Sequence, residues 1–95
     1  MGDAELSDLI RAIACREFIE PARARSRKEV TIRAGDLHEK MRLVGRMPAV
    51  CGALGTLKFQ RENGIKLISR EGPSNGPNAI FKFLIEYASD DDIMS

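Results

Sequence analysis

Apolar residues at helical spacing dominate residues 1–20 of the chain. They recur three and four positions apart, and charged residues fill most of the opposite side, which predicts an amphipathic helix. Asp3 suits the N-cap, and Pro21 cannot continue a helix because its ring fixes φ and removes a donor. We therefore predict that the helix ends near Glu20 and that residues 21–29 form a loop or a short exposed extension. The apolar positions of this helix are Leu6, Leu9, Ile10, Ile13, Ala14 and Phe18.

Between residues 30 and 61 the pattern changes from strand to helix and then to a second helix. Val30-Thr31-Ile32-Arg33 is β-branched and alternating, which predicts a short strand. Leu37 and Met41 lie four positions apart, enough for about two helical turns. Val44-Gly45 breaks the pattern, as a tight turn between helices requires. Proline is favoured in a first helical turn, so the next helix is predicted over Pro48 to Arg61, with inward positions Val50, Ala53, Leu54 and Leu57.

The last apolar pattern is that of a β-hairpin. Asn63-Gly64 ends the preceding helix because both residues tolerate the left-handed conformation. Residues 65–70 and 79–87 are the most strand-like runs, and the second alternates Phe81, Phe83, Ile85 and Tyr87 on one face. Residues 71–78, rich in glycine and proline, form the long polar tip. We predict one domain over residues 1–88, followed by an acidic tail without regular structure over residues 89–95.

Charge is strongly segregated, although the formal net charge of the 95 residues is only +1. Residues 1–20 carry two basic and five acidic side chains, residues 21–70 carry twelve and four, and residues 71–95 carry one and five. The centre is thus a basic module between acidic ends, and such a module attracts polyanions locally whatever the overall charge. The alternative to a polyanion-binding module is an ordinary solvated surface on which charges of one sign are grouped along the sequence by chance.

Other classes of function find little support in the sequence. The two cysteines, Cys15 and Cys51, lie far apart in apolar helical contexts, where a free thiol is usually a small buried hydrophobe. With no membrane-spanning run and no basic leader, a cytoplasmic protein is expected. His38, the single histidine, has neither a second ligand for a metal nor a nucleophile partner, and we expect it to be exposed. We therefore expect no enzyme activity, no metal and no cofactor.

The order helix, strand, helix, turn, helix and hairpin resembles that of the winged helix-turn-helix superfamily. The phrase IRAGDLHEKMRLVGRMPAVCGAL, residues 32–54, is similar to the strand and two motif helices of small prokaryotic proteins of this kind. The resemblance implies an α+β fold with three helices, a short strand and a carboxyl-terminal β-hairpin wing over residues 65–87. It also implies that helix 48–61 enters the major groove of double-stranded DNA while the wing follows the backbone.

Carried onto this sequence, the resemblance implies a set of DNA-binding residues. Arg46 is the favoured base or phosphate contact because its planar fork suits guanine or phosphate bidentately. Phosphate contacts are expected from basic residues around the motif helices, from a basic run before the strand and from polar residues of the wing. The implied residues are Arg46, Met47 and Ala49; Lys40, Arg42, Lys58 and Arg61; Arg23, Arg25, Arg27 and Lys28; and Lys66, Arg70, Ser74, Asn75, Asn78 and Lys82.

Two alternatives to a DNA-binding winged domain remain open from the sequence. GALG at residues 52–55 matches the GXXG of KH domains, which clamps single-stranded nucleic acid, but the glycines fall inside an expected helix. The second alternative is a winged protein–protein interaction module without nucleic-acid binding, because Ala49, Gly52, Ala53 and Gly55 offer few groups for reading bases. For the DNA-binding hypothesis, the expected role is transcriptional control or accessory DNA binding, with a homodimer through the first helix or last strand.

Overall fold

The computed structural model describes residues 3–87, with side chains from Glu5 onward. The predicted acidic tail, residues 89–95, lies outside the described residues. In chain order the elements are helices α1 (Asp3–Ala14) and α2 (Glu20–Ala24), joined by a π-helical turn (Cys15–Ile19), then β1 (Glu29–Arg33), α3 (Ala34–Lys40), α4 (Met47–Leu54), α5 (Leu57–Asn63), β2 (Ile65–Glu71) and β3 (Ile80–Ile85).

The first helix continues past Pro21, so its predicted end near Glu20 is wrong. The π-helical turn adds one residue to the helical ladder, and the backbone N–H of Glu20 donates to the carbonyl of Cys15, five residues back. Pro21 then falls in the first turn of α2, where its missing N–H costs little. The helical run ends at Ala24, and only residues 25–28 connect it to β1.

The predicted helix from Pro48 to Arg61 is two helices. α4 ends at Leu54, and Thr56 has extended backbone angles, with its hydroxyl accepting a hydrogen bond of 3.2 Å from the N–H of Phe59. A threonine that caps a new helix in this way cannot also continue the old one. The break rotates the next turn, so Leu57 is 62% exposed rather than inward and Phe59 is fully buried instead.

The three strands of the described chain form one antiparallel sheet in the order β1, β3, β2. Helix α4 packs on α1 and α3, while α5 packs on β2. Phe59 meets Phe83 edge to face at 5.4 Å between ring centroids, and Phe81 stacks on Phe83 at 6.5 Å. The prediction that Tyr87 shares the inner face with these rings is wrong, because β3 ends at Ile85 and Tyr87 is 41% exposed.

The α+β class is confirmed, with a different helix count from the prediction. The described residues hold four helices, when α1, the π-helical turn and α2 are counted as one, where three were predicted. The predicted strand at residues 30–33 and the two strands of the hairpin are present, and Gly64 ends α5 with φ at 60°, as its left-handed tolerance predicts.

Candidate nucleic-acid interface

The sheet has two ends, and the candidate residues divide between them. At one end, which we call the loop end, Glu29 and Lys66 face Leu84 across the strands. At the other, the wing end, Arg33 and Glu71 both face Ile80. A strand of five residues separates the ends by about 15 Å.

Two arginines occupy the turn between α3 and α4, and we call them the turn cluster: Arg42 and Arg46. Both are exposed, and neither has an acidic partner among the described residues. The turn is shaped by positive φ at Arg42 and Gly45. The backbone N–H of Arg46 donates to Nε2 of His38 at 3.2 Å, so this imidazole is half-buried and structural rather than exposed. The turn cluster therefore lies, with free side chains, at the amino end of α4.

The outward face of α4 carries almost no side chain. Gly52 and Gly55 are exposed, and a Cβ added at Gly52 would meet nothing within 4 Å. Close packing against a neighbouring helix therefore does not explain this glycine. Met47 and Ala49, two expected base contacts, are half-buried and pack against the core. An open depression beside this face is also lined by Ser7 of α1, a hydroxyl that the sequence pattern gave no reason to select.

Arg70 connects the wing to the carboxyl end of α4. The register places it opposite Phe81 on the helix-facing side of the sheet, and its guanidinium lies 4.7 Å from the centroid of that ring. One nitrogen donates to the carbonyl of Ser74 at 2.5 Å, and another would be 3.6 Å from a Cβ built on Gly55. The predicted phosphate ligand is thus partly engaged within the wing, with Ser74 and Asn75 exposed at the tip.

The wing tip also contacts the start of α3. The backbone N–H of Gly35 donates to the carbonyl of Pro77 at 3.0 Å. Arg33 bridges the two segments, donating to Asp36 at 2.9 Å and to the side-chain oxygen of Asn78 at 2.8 Å. The contact of Arg33 with Asn78 joins residues 45 positions apart, which no local pattern in the sequence predicts.

Several predicted phosphate ligands have acidic partners instead. Lys58 lies 3.2 Å from Asp8, Lys40 lies 3.6 Å from Glu17 and Lys82 lies 3.1 Å from Glu29. Exposed pairs of this kind are weak and exchange readily, but they reduce the positive field of the surface. Arg61 on α5 and Lys66 on β2 are exposed and have no acidic partner among residues 5–87.

The basic run before β1 lies at the loop end, away from the wing tip. Its exposed members, Arg25, Arg27 and Lys28, form the loop cluster, and no acid of the described chain pairs with them. Arg23 is half-buried and donates to the backbone carbonyls of Asn63 at 2.6 Å and Glu86 at 3.0 Å. The structure thus brings the turn cluster, α4 and the wing together, and it leaves the loop cluster elsewhere.

Three titratable side chains of the described residues have a clearly shifted pKa: Asp8, Cys15 and Cys51. A hydrogen bond from Arg11, supported by Lys58, lowers the pKa of Asp8 below its ordinary value. Burial raises the pKa of both thiols, and Cys15 also donates a hydrogen bond to Glu20. A raised pKa disfavours the thiolate form of both cysteines. The buried position expected for both holds for Cys51, whereas Cys15 is half-buried.

Within residues 3–87 the structure groups no three potential metal ligands. None of the described helices is long and apolar enough to cross a membrane. Neither a protein-family model, nor a curated protein, nor a solved structure matches this chain.

Proposed function

We propose that the chain is a winged helix-turn-helix protein that binds double-stranded DNA. In this arrangement α3 and α4 are the motif helices, β2 and β3 are the wing, and α4 rather than the longer span 48–61 lies at the major groove. The order of elements along the chain and the strand order β1, β3, β2 support it.

One observation carries the proposal: α4 lies between two groups of exposed arginine side chains. The turn cluster is at its amino end, and Arg70 with the wing tip is at its carboxyl end. The outward face between them is bare at Gly52, so a nucleic-acid backbone can approach the helix closely. Arginines in these positions suit phosphates, and the helix amino end adds a favourable dipole.

The same geometry predicts weak discrimination between sequences. Direct readout requires side chains that reach the base edges, and the exposed face of α4 offers few beyond Arg46. We therefore propose that the protein binds duplexes mainly through phosphates and groove shape. A role in transcriptional control or as an accessory DNA binder follows, with a homodimer extending the contact.

The test compares two charge-matched pairs of substitutions by fluorescence anisotropy with a random duplex. Arg42→Gln with Arg46→Gln is expected to weaken binding about tenfold or more at low salt and to reduce the slope of log affinity against log salt by about 2. Arg25→Gln with Arg27→Gln removes the same charge at the loop end and is expected to change affinity less than twofold. Absence of binding by the folded wild-type protein at low salt would exclude the proposal, and equal effects of the two pairs would exclude the assigned surface.

The second candidate is a protein–protein interaction module, and exposed apolar residues favour it. Val44 in the turn is 88% exposed, and Leu9 on α1 is 53% exposed. Exposed apolar side chains mark a docking surface where they form a contiguous patch. Val44→Ser separates the candidates, because it leaves phosphate contacts intact and should abolish only the capture of a protein partner.

A further inference from the structure

The chain leaves the described structure at a fixed point beside the loop cluster. The hydroxyl of Tyr87 donates to the carbonyl of Arg27, and the guanidinium of Arg23 lies 5.3 Å from the centroid of the Tyr87 ring. Arg23 also donates to the carbonyl of Glu86, whose own N–H donates to Gly64 at 2.8 Å. These contacts hold the start of the following segment at the loop end of the sheet.

The surface at this point combines free positive charge with apolar patches. Arg25 and Arg27 line an open depression whose apolar members include Pro21, Ala22 and Val30. Lys82 also lines it, but is paired with Glu29 at 3.1 Å. The unpaired charge of the depression is therefore positive and comes from the loop cluster.

The segment that follows Tyr87 has the complementary composition. Its sequence, ASDDDIMS, places three aspartates at positions 90–92 and two apolar residues, Ile93 and Met94, directly after them. An extended chain spans at most about 3.6 Å per residue, so the maximum reach of the three aspartates from Tyr87 is roughly 11 to 18 Å. The loop cluster lies within this reach, because the hydroxyl of Tyr87 already contacts the carbonyl of Arg27.

We propose that the occupant of this depression is the protein's own acidic tail. In the bound arrangement Asp90, Asp91 and Asp92 face the loop cluster, and Ile93 and Met94 lie against the apolar part of the depression. A tethered segment needs little intrinsic affinity, because its effective concentration is in the millimolar range. The positive charge at the loop end is thereby satisfied within the molecule and is not a nucleic-acid contact.

A nitroxide label tests the contact directly. It is attached to Ser95→Cys in a Cys15→Ala background, where the remaining Cys51 is fully buried. We expect the label to broaden the amide NMR signals of Ser26, Arg27 and Lys28 at low salt, and added salt to reverse the broadening. Replacing the aspartates by asparagine (D90N, D91N and D92N) should remove most of it.

A charge-matched control separates specific docking from a general change in net charge. Glu5→Gln, Glu39→Gln and Glu62→Gln neutralise three exposed acids elsewhere and should leave the broadening intact. Broadening at residues 26–28 that is weak, or that survives the aspartate substitutions unchanged, would overturn the proposal. Equal loss in the control variant would overturn it as well.

Duplex binding supplies an independent readout. Asparagine at positions 90–92 should tighten DNA binding by less than about threefold, no more than the control variant does, because exposed charge pairs contribute little at a distance. A loss of DNA affinity on neutralising the loop cluster would assign it to nucleic acid and contradict tail docking. If no variant binds DNA while the broadening persists, the proposed function fails and the tail contact stands.

Discussion

Each end of the sheet carries an arginine beside an aromatic ring, and the protein surrounds the two differently. At the loop end Arg23 lies over Tyr87 and donates to the carbonyls of Asn63, Gly64 and Glu86. At the wing end Arg70 lies over Phe81 and, within the described chain, donates to the carbonyl of Ser74 alone. Positive charge in a sequence therefore predicts affinity for anions only where the donors of the side chain remain free.

The surroundings of the two arginines sharpen the difference. The wing end adjoins the bare carboxyl end of α4 at Gly55, where a large ligand can approach. The loop end adjoins the point where the chain continues into its aspartates. The position of Arg70 therefore suits an external partner, whereas the position of Arg23 suits a structural role.

Removal of the ring beneath Arg70 should have the largest effect. Phe81 is fully buried, so Phe81→Ala leaves a cavity and is expected to lower the free energy of unfolding by about 3–5 kcal/mol. Urea denaturation followed by circular dichroism measures it. Phe81→Leu keeps most of the volume and should cost less than half as much. A loss below about 1 kcal/mol in the alanine variant would show that the wing end lies outside the core.

A pair of glycine substitutions should change stability in opposite directions. A Cβ at Gly35 would lie 2.7 Å from the carbonyl oxygen of Pro77, so Gly35→Ala forces the wing tip away from α3 and is expected to cost about 1–3 kcal/mol. Gly52→Ala meets nothing and should stabilise the helix by about 0.5–1 kcal/mol. Thermal unfolding of both variants gives the comparison, and a neutral Gly35→Ala would contradict the close contact.

Truncation of the two arginines compares the ends directly. Arg23→Ala leaves three carbonyls without a charged donor and is expected to lower the free energy of unfolding by about 1.5–3 kcal/mol. Arg70→Ala removes one hydrogen bond to a carbonyl and one ring contact, and it is expected to lower the free energy of unfolding by about 0.5–1.5 kcal/mol. Urea midpoints of the two variants rank their losses of stability. Lysine at either site should restore less than half of the lost free energy, because it lacks the planar fork of arginine. The reverse ranking would refute the structural role of Arg23.

A smaller loss of stability is expected from a substitution at Tyr87, where the described part of the chain ends. Tyr87→Phe keeps the ring beside Arg23 but removes the hydroxyl that donates to the carbonyl of Arg27, with an expected loss of about 0.5–1 kcal/mol. The same variant should weaken nitroxide broadening of the loop cluster, since the tail then starts from a less fixed point. Unchanged stability and unchanged broadening together would show that this hydrogen bond does not position the segment.

The smallest effect lies away from both ends, at Asp8. Its pKa is lowered in the folded protein, chiefly by the hydrogen bond from Arg11 and then by Lys58. The stabilisation is therefore fully present above the ordinary value of 3.8 and is lost as the pH falls through the lower folded value. Asp8→Asn should remove this part of the acid sensitivity, seen as a smaller drop in urea midpoint between pH 5 and strongly acidic conditions. An identical acid profile in the variant would contradict the assignment.

Local patterns in the sequence predicted most of the elements but missed two departures from regularity. Strand β3 was predictable from the alternation of Phe81, Phe83 and Ile85, and the end of α5 was predictable from Gly64. Both features depend only on neighbours in the chain. The π-helical turn was not predictable from Pro21, since the inserted residue changes which carbonyl is left without the N–H that proline lacks. The break at Thr56 was hidden because Leu57 continued the spacing of Val50 and Leu54.

Prediction of the candidate site was less complete, for a physical reason. Arg46 and Arg42 were identifiable because an exposed turn leaves arginine side chains in water. The engagement of Arg23 and the pairing of Lys58 with Asp8 depend on contacts between residues forty or more positions apart. Composition gives the charge of such residues but not the carbonyls and carboxylates that meet them, so Arg23 and Lys58 were assigned to phosphate in advance.

In the proposed DNA complex, the break between α4 and α5 limits how much of a duplex one molecule can cover. Eight residues of helix extend about 12 Å, which is close to the width of the major groove. An unbroken helix through Asn63 would project beyond the groove or lift off the sheet, whereas α5 instead turns to support β2. In the proposed complex, longer binding sites would be assembled from additional copies or from the wing, and not from further turns of this helix.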